Sequence, residues 1–307
     1  AADLMTNAMV IGMGGVGSVI AQKLHEYDSI DRIICADRDP VFATELATRI
    51  SRNRFVVVQT DAMDVKATAA LMHKHDVKVT CNATVCATNH SFLTACAEAG
   101  SHYLDMAADI YAPPGVRRRS KNSFDAEIET FDEIFRDRGL AGILCMGMDP
   151  GAVNVFARWA IDRLDTATSI RVLDADNAEV KGYRFAVLAT SPRSLIAAAP
   201  YFVKNGKVTA GKPLESEFEW IRFPEPIGLQ PTYAVAHEEG VSLGLHPPFA
   251  AKGVRYSVFK YSISDKVRHL SRSLALLDLD TWKKVKVDGA EVAPVRVATH
   301  ALPKPAQ

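Results

Sequence analysis

Three glycines stand in G-x-G-x-x-G spacing near the start of the chain: Gly12, Gly14 and Gly17, within Ala8-Met-Val-Ile-Gly-Met-Gly-Gly-Val-Gly-Ser18. Such a turn does chemistry only between a buried strand and a helix. The apolar run Ala8 to Ile11 reads as that strand, and Val16, Val19, Ile20 and Leu24 then recur at helical period. Each glycine has its own task. Gly12 makes the tight turn, Gly14 lets the backbone approach a pyrophosphate, and Gly17 lets the helix pack close to the sheet. Gly15 and Val16 complete the turn that a dinucleotide would touch. The helix N-terminus offers free N–H groups and partial positive charge to the phosphates.

A second strand, Arg32-Ile-Ile-Cys-Ala-Asp37, ends in an acid twenty residues beyond Gly17, where a ribose-binding carboxylate belongs. Asp37 there accepts from both ribose hydroxyls and repels a 2′-phosphate, which favours NAD. The adjacent Arg38 can stack on adenine or pair with that phosphate, which favours NADP. The position of Asp37 tips the expectation to NAD, with NADP the alternative. Asp61, after the third strand, is either an adenine contact or a helix-start acid. Asn82, at the carboxyl end of the fourth strand, either bonds the nicotinamide-side ribose or forms an Asx turn.

The elements that must position these residues alternate strand and helix through the first half. Strands are expected at Phe55–Val58, Val77–Cys81, His102–Asp105 and Gly142–Met146. Helices are expected from Asp64 to Lys74, from Asn89 to Ala99 before Gly100, and from Ser123 to Arg138 before Gly139. This is a doubly wound parallel α/β sheet of the Rossmann kind. From Asp149-Pro150, read as an N-cap and first helical residue, a helix runs to about Leu164 with Val153, Phe156, Ala157 and Ala160 inward. Its N-terminus makes Asp149 and Gly151 candidates for contact with pyrophosphate or a substrate carboxylate. Beyond lie strands at Ser169–Leu173, Tyr183–Ala186, Phe218–Arg222 and Val254–Phe259, several alternating apolar and polar. The expected division is a dinucleotide-binding domain over 1–147 and a mixed α+β substrate domain over 148–307. Trp159 and Trp220 read as core or interface aromatics.

Composition removes other classes. The 307 residues are 48% hydrophobic, and 36 Lys+Arg balance 36 Asp+Glu, so nothing recommends nucleic acid or an acidic membrane as partner. No apolar stretch approaches the ~18 residues of a membrane span, and the N-terminus lacks a signal-peptide core. The short basic run Arg117–Arg119 reads as a solvated loop. Five cysteines, odd in number and without zinc spacing, read as free buried thiols of a reducing cytoplasm, and no metal site is expected.

The segments Cys81-Asn-Ala-Thr84, Ala95-Cys-Ala-Glu-Ala-Gly100, Tyr103-Leu-Asp105, Gly147-Met-Asp-Pro-Gly-Ala-Val-Asn-Val-Phe156, Gly182-Tyr-Arg-Phe185, Ser191-Pro-Arg193, Phe223-Pro224 and His237-Glu-Glu239, in this order, resemble the saccharopine dehydrogenase-like oxidoreductases. The resemblance implies reversible hydride transfer between a nicotinamide and a C–N centre of an amino acid or polyamine, in a homodimer. Members continue past the equivalent of Leu302-Pro-Lys-Pro305, so a truncated or shortened member is expected. Two alternatives stay open: a homospermidine-synthase-like transferase that retains its cofactor, and a dinucleotide sensor without catalysis.

Imine chemistry needs a proton carrier and charged anchors. Histidine titrates near neutrality, and a carboxylate two residues away shares its face of a strand. With the resemblance, this makes His237 and Glu239 the expected proton-transfer pair. Asp105, ending the fifth strand, is a second candidate to hold a substrate ammonium or shuttle a proton. Arg184 and Arg193 are candidate clamps for a substrate carboxylate. The site is expected in the cleft between the domains.

Overall fold

In this computed structural model, residues 5–50, 53–108, 126–175, 199–281 and 283–301 are described. Contacts divide the chain into two compact units that meet in sequence between Ala152 and Val153.

The first unit is built on β1 (Thr6–Ile11), α1 (Gly15–Leu24), β2 (Ile30–Asp37), α2 (Val41–Ile50), β3 (Phe55–Gln59), α3 (Val65–Lys74), β4 (Val77–Asn82), α4 (Asn89–Ala99), β5 (His102–Asp105), α5 (Ala126–Asp137) and β6 (Gly142–Ile143). The strands lie in the order β3-β2-β1-β4-β5-β6 and every pairing is parallel. The chain order reverses between β1 and β4, the switch point at which ligands of such sheets bind. One core face joins Met9, Ile11, Ile34, Phe92, Tyr103 and Phe131; the other joins Val10, Ile33, Cys35, Leu46 and Phe55. Alternate residues of β1 and β2 thus serve opposite faces, as a sheet covered on both sides requires.

Local signals hold where the backbone supplies its own reason. Asp64 caps α3, its carboxylate accepting from Ala67 N–H at 3.0 Å. Gly100 closes α4 in the left-handed region at φ 72°. Other expectations shift. Of the residues read as the packed stripe of α1, Ile20 and Leu24 meet the core, but Val16 and Val19 are exposed. The strand expected to reach Met146 ends at Ile143. Two residues of β6 pair with β5, at Tyr103–Gly142 and Leu104–Ile143.

The second unit holds α6 (Ala152–Ile161), most of which follows Ala152, then β7 (Ser169–Asp174), β8 (Tyr201–Lys204), β9 (Lys207–Ala210), β10 (Glu219–Arg222), β11 (Leu229–Ala234), α7 (Glu239–Leu245), α8 (Pro247–Ala250), β12 (Tyr256–Ser262), α9 (Asp265–Leu276), the hairpin β13 (Val285–Val287) and β14 (Ala290–Val292), and α10 (Pro294–Ala301). Its main sheet runs β10-β11-β12-β8-β9, with β7 parallel to β12 and the other pairings antiparallel. Leu214, Tyr233, Val235, Phe259, Ile263 and Val267 form one core cluster, which includes the first turn of α9.

Pro150 does not start α6. It lies in a turn before it, where Gly147 and Gly151 bridge and Ala152 N–H bonds Gly147 O at 3.0 Å. Ile161 is buried and Ala157 packs beside it, whereas Phe156, Ala160 and Trp159 are exposed, as is Trp220 on β10. These two tryptophans are therefore not core residues of either unit. The expected strand Tyr183–Ala186, the basic run Arg117–Arg119 and the clamp candidates Arg184 and Arg193 lie outside the described residues. Among the described residues, no helix is long and apolar enough to cross a membrane.

Candidate active site

The glycine turn is shaped by contacts that leave no room for a side chain. Gly12 adopts φ +89°, and a Cβ there would meet Thr84 Cγ2 at 2.7 Å and the Ala83 backbone at 2.8 Å. At Gly17 an added Cβ would lie 1.9 Å from the Gly12 carbonyl oxygen, so only glycine lets α1 come this close to β1. Gly14 and Gly15 differ: nothing lies within 4 Å of where their Cβ atoms would be. Gly14 caps α1 without a side-chain hydrogen bond, and Ser18 N–H makes the first intrahelical bond, to Gly14 O at 3.0 Å. Open space beside uncapped N–H groups is what a pyrophosphate requires.

Asp37, at the end of β2, reaches this turn. Its Oδ2 accepts from Met13 N–H at 2.5 Å and its Oδ1 from Asp39 N–H at 2.9 Å. Each oxygen keeps further acceptor capacity for a hydroxyl. Arg38 is exposed, with its carbonyl accepting from Gln59 Nε2 at 2.8 Å. Asp61 is exposed and folds onto its own chain, accepting from Met63 N–H at 2.9 Å. That is the geometry of a turn before a helix. These residues could hold a nicotinamide dinucleotide, with Gly14, Gly15 and Val16 toward its phosphates and Asp37 toward a ribose.

At the carboxyl ends of β4, β5 and β6 the structure brings Asn82, Asp105 and the Gly147–Gly151 turn together. Asn82 pairs with Asp105 in register, Met146 N–H bonds Asp105 O at 2.8 Å, and a Cβ on Gly147 would meet Met106 O at 2.8 Å. Asn82 is 2% exposed. Its Oδ1 accepts from Thr84 N–H and Oγ1, and its Nδ2 donates to Asn89 Oδ1, Thr88 Oγ1 and Tyr103 Oη. The amide is thus an internal brace. The expected ribose contact gives way to the Asx-turn alternative, because both ends of the amide are already engaged.

Asp105 is 1% exposed. Its carboxylate accepts from Cys145 N–H at 2.7 Å, Tyr103 Oη–H at 2.9 Å and Asn89 Nδ2 at 3.2 Å. Burial pushes its carboxyl up to about 6, against the opposing pull of these hydrogen bonds. The same Asn89 amide donates to Glu127 Oε1 at 2.9 Å, and Glu127 is also buried. Sequence reasoning missed Glu127, because a glutamate on a charged helix reads as solvated. So enclosed, Asp105 works as a tether on the segment Cys145–Met146 that leads into the Gly147–Gly151 turn. Gly151, at φ +135°, would place a Cβ 2.1 Å from Gly147 O, so this turn is as closely built as the first. Burial pushes the nearby Cys81 thiol up to about 11, which keeps it protonated at neutral pH.

In the second unit, His237 Nδ1 and Glu239 Oε2 are 2.5 Å apart, and Glu238 Oε2 lies 3.5 Å from the same nitrogen. The pair forms, but not for the expected reason. His237 lies in the irregular segment between β11 and α7, and Glu239 is the first residue of α7, so no shared strand face is involved. Glu239 is 0% exposed because α7 lies directly on the sheet. A Cβ on Gly240 would meet Tyr201 O at 2.5 Å, a Cβ on Gly244 would meet Val203 Cγ2 at 2.6 Å, and Ser257 Oγ donates to Gly240 O. The Phe259 ring stacks on the imidazole at 4.0 Å and 14°, a contact invisible in sequence. Glu239 Oε1 is buried with no hydrogen-bond partner.

Among the described residues, His237, Glu238 and Glu239 are the one set of metal-ligating types whose donor atoms lie within 4.8 Å of one another. The 2.5 Å contact is a hydrogen-bond length. At that length His237 Nδ1 and Glu239 Oε2 share a proton.

Residues 8–142 match the family described as saccharopine dehydrogenase NADP binding domain. A carboxyaminopropylagmatine dehydrogenase of Synechocystis sp. is 27% identical over 306 residues, covering 98% of this chain and 73% of that protein. A carboxynorspermidine synthase of Vibrio alginolyticus is 28% identical over 312 residues, covering 96% and 72%. Among solved structures, saccharopine dehydrogenase (L-Glu forming) of Saccharomyces cerevisiae aligns with a TM-score of 0.63 at 14% identity, over 92% of this chain and 60% of that one. This last likeness is one of fold, and the chain spans 60% of that structure's length. The resemblance expected from the sequence therefore holds: residues 8–142 match the saccharopine dehydrogenase NADP binding domain, and the relatives found along nearly the whole chain are similar to it at 27–28% identity.

Proposed function

We propose that this chain is a nicotinamide-dinucleotide-dependent oxidoreductase acting on a C–N bond of a polyamine-like or amino-acid substrate. The observation that carries the reading is the glycine turn. Gly12 and Gly17 are forced by packing, while Gly14 and Gly15 face open space beside uncapped helix N–H groups and the Asp37 carboxylate. The relatives named for carboxyaminopropylagmatine and carboxynorspermidine support the substrate class.

When bound, the nicotinamide supplies the hydride donor or acceptor. The chain supplies the rest. Gly14, Gly15 and Val16 bind the phosphates. Asp37 orders the turn through Met13 and accepts from a ribose, which favours NAD over NADP. His237 exchanges the proton of the substrate nitrogen, with Glu239 holding its Nδ1 in one tautomer and Phe259 fixing the ring plane. Glu238 and Glu239 bring carboxylate charge to this place, which suits a cationic amine.

The test is turnover of the full chain with NAD or NADP and a panel of carboxyalkylated polyamines, saccharopine and lysine, followed by nicotinamide absorbance. The expected result is net oxidation or reduction with at least one carboxyalkylated amine. A chain that binds dinucleotide tightly yet changes no absorbance with any member of the panel overturns the proposal.

A further inference from the structure

We propose that a groove on the sheet of the second unit binds a free aromatic α-amino acid as its zwitterion. The groove holds about 350 Å³, and Glu215, Phe218, Trp220, Tyr233, Asp265 and Arg268 are among the residues that line it. Small-molecule sites begin at roughly this size. Strand register explains how its walls meet. Trp220 of β10 stands opposite Pro231 of β11, and Tyr233 is two residues on from Pro231, so all three share one face of the sheet. α9 lies over the same face, since Val267 of its first turn clusters with Tyr233. Asp265 and Arg268, one turn apart on α9, reach the groove from there.

The walls suit a ring. Phe218 lies 5.1 Å from Tyr233 and 6.2 Å from Trp220, centroid to centroid, the second pair edge-on at 78°. Phe218 and Trp220 remain 50% and 54% exposed. Each therefore keeps aromatic surface that the core does not use, in the place where a third ring could stack.

The polar groups suit the other end of an amino acid. Tyr233 is 5% exposed, yet among the described residues its hydroxyl makes no hydrogen bond. The Arg268 guanidinium lies 5.8 Å from the centroid of the Tyr233 ring. Its Nε is 3.4 Å from Asp265 Oδ1 in an ion pair, but that nitrogen is buried and has no hydrogen-bond partner. A guanidinium with unengaged donors beside an unengaged phenol is a receptor for a carboxylate. Asp265 and Glu215 offer their own carboxylates to an ammonium. Each acid is matched by an arginine, Asp265 by Arg268 and Glu215 by Arg272 at 3.1 Å, so the two charges of each sign cancel. A bare cation meets Arg268, and a bare anion meets the two acids. A zwitterion sets each of its charges against the opposite one.

Binding to the full chain, followed by calorimetry and ligand-observed NMR, tests this without dinucleotide or turnover, so the outcome is separate from that of the oxidoreductase reading. L-Phenylalanine should bind. Phenethylamine, which lacks the carboxylate, and 3-phenylpropionate, which lacks the ammonium, should each bind at least about tenfold more weakly, as the loss of a charge-assisted contact requires. Arg268→Gln and Trp220→Ala should each weaken L-phenylalanine by a similar factor. Trp220→Ala removes an exposed ring and should leave the unfolding midpoint nearly unchanged. No binding of L-phenylalanine up to about 10 mM, which reaches sites as weak as ~1 mM, overturns the proposal. So does either analogue binding as tightly as L-phenylalanine, or a folded Trp220→Ala chain that binds it like the parent.

Discussion

The Asp37 carboxylate accepts the Met13 amide hydrogen at 2.5 Å, which ties the end of β2 to the glycine turn that follows β1. One residue therefore shapes the turn and presents charge to whatever lies on it. Asp37→Ser should weaken NAD binding at least tenfold and raise the relative use of NADP, with Arg38 free to meet the additional phosphate. The readout is the NAD/NADP ratio of kcat/KM. A ratio that stays where it was means Asp37 is not at the ribose.

The glycines should separate folding from binding. Gly17→Ala puts a Cβ 1.9 Å from Gly12 O, so α1 must move off the sheet, at a cost of about 1–3 kcal/mol. Dinucleotide binding should fall with it. Gly14→Ala meets nothing within 4 Å and should leave the unfolding midpoint nearly unchanged while still weakening binding. Thermal melts and cofactor titrations on the two variants check this; equal melting losses would contradict it.

His237→Ala should lower kcat roughly 10²–10⁴-fold, the usual range for a general acid–base residue, with dinucleotide affinity retained. Glu239→Gln should cost less, since it keeps the shape but not the charge that holds Nδ1. Near-normal kcat in His237→Ala with the true substrate would assign the proton elsewhere.

Asp105 gives stability a pH dependence of definite sign. Burial raises its carboxyl from 3.8 to about 6. Its contribution is thus fully present below the unfolded value near 3.8 and is lost as pH rises through about 6, a change of about 3 kcal/mol. Denaturant melts between pH 4 and 7 should show a downward trend in the parent, relative to Asp105→Asn, over that window. Parallel curves for the two proteins would show that Asp105 ionises normally in the folded state.

Much of the first unit is legible from residues alone, because its signals are local. The apolar runs of β1 to β4, the capping Asp64 and the left-handed Gly100 each act within a few residues of themselves. The glycine spacing names its own turn for the same reason: close approach and positive φ admit little else. Asp61 and Asp37 act locally too, each accepting the N–H two residues on, from Met63 and Asp39.

What depended on tertiary structure was which polar groups are enclosed. Asn82 lies at the expected strand end, yet Thr84, Thr88, Asn89 and Tyr103 draw its amide inward. Glu127, 38 residues from Asn89 in sequence, closes the same network. His237 and Glu239 meet because Gly240 and Gly244 let α7 lie on the sheet, not because of strand alternation. Burial is a property of what packs above a residue, and the packing partners here come from distant segments. Spacing along the chain can propose a pair of side chains; only the fold removes them from water and so decides what they can do.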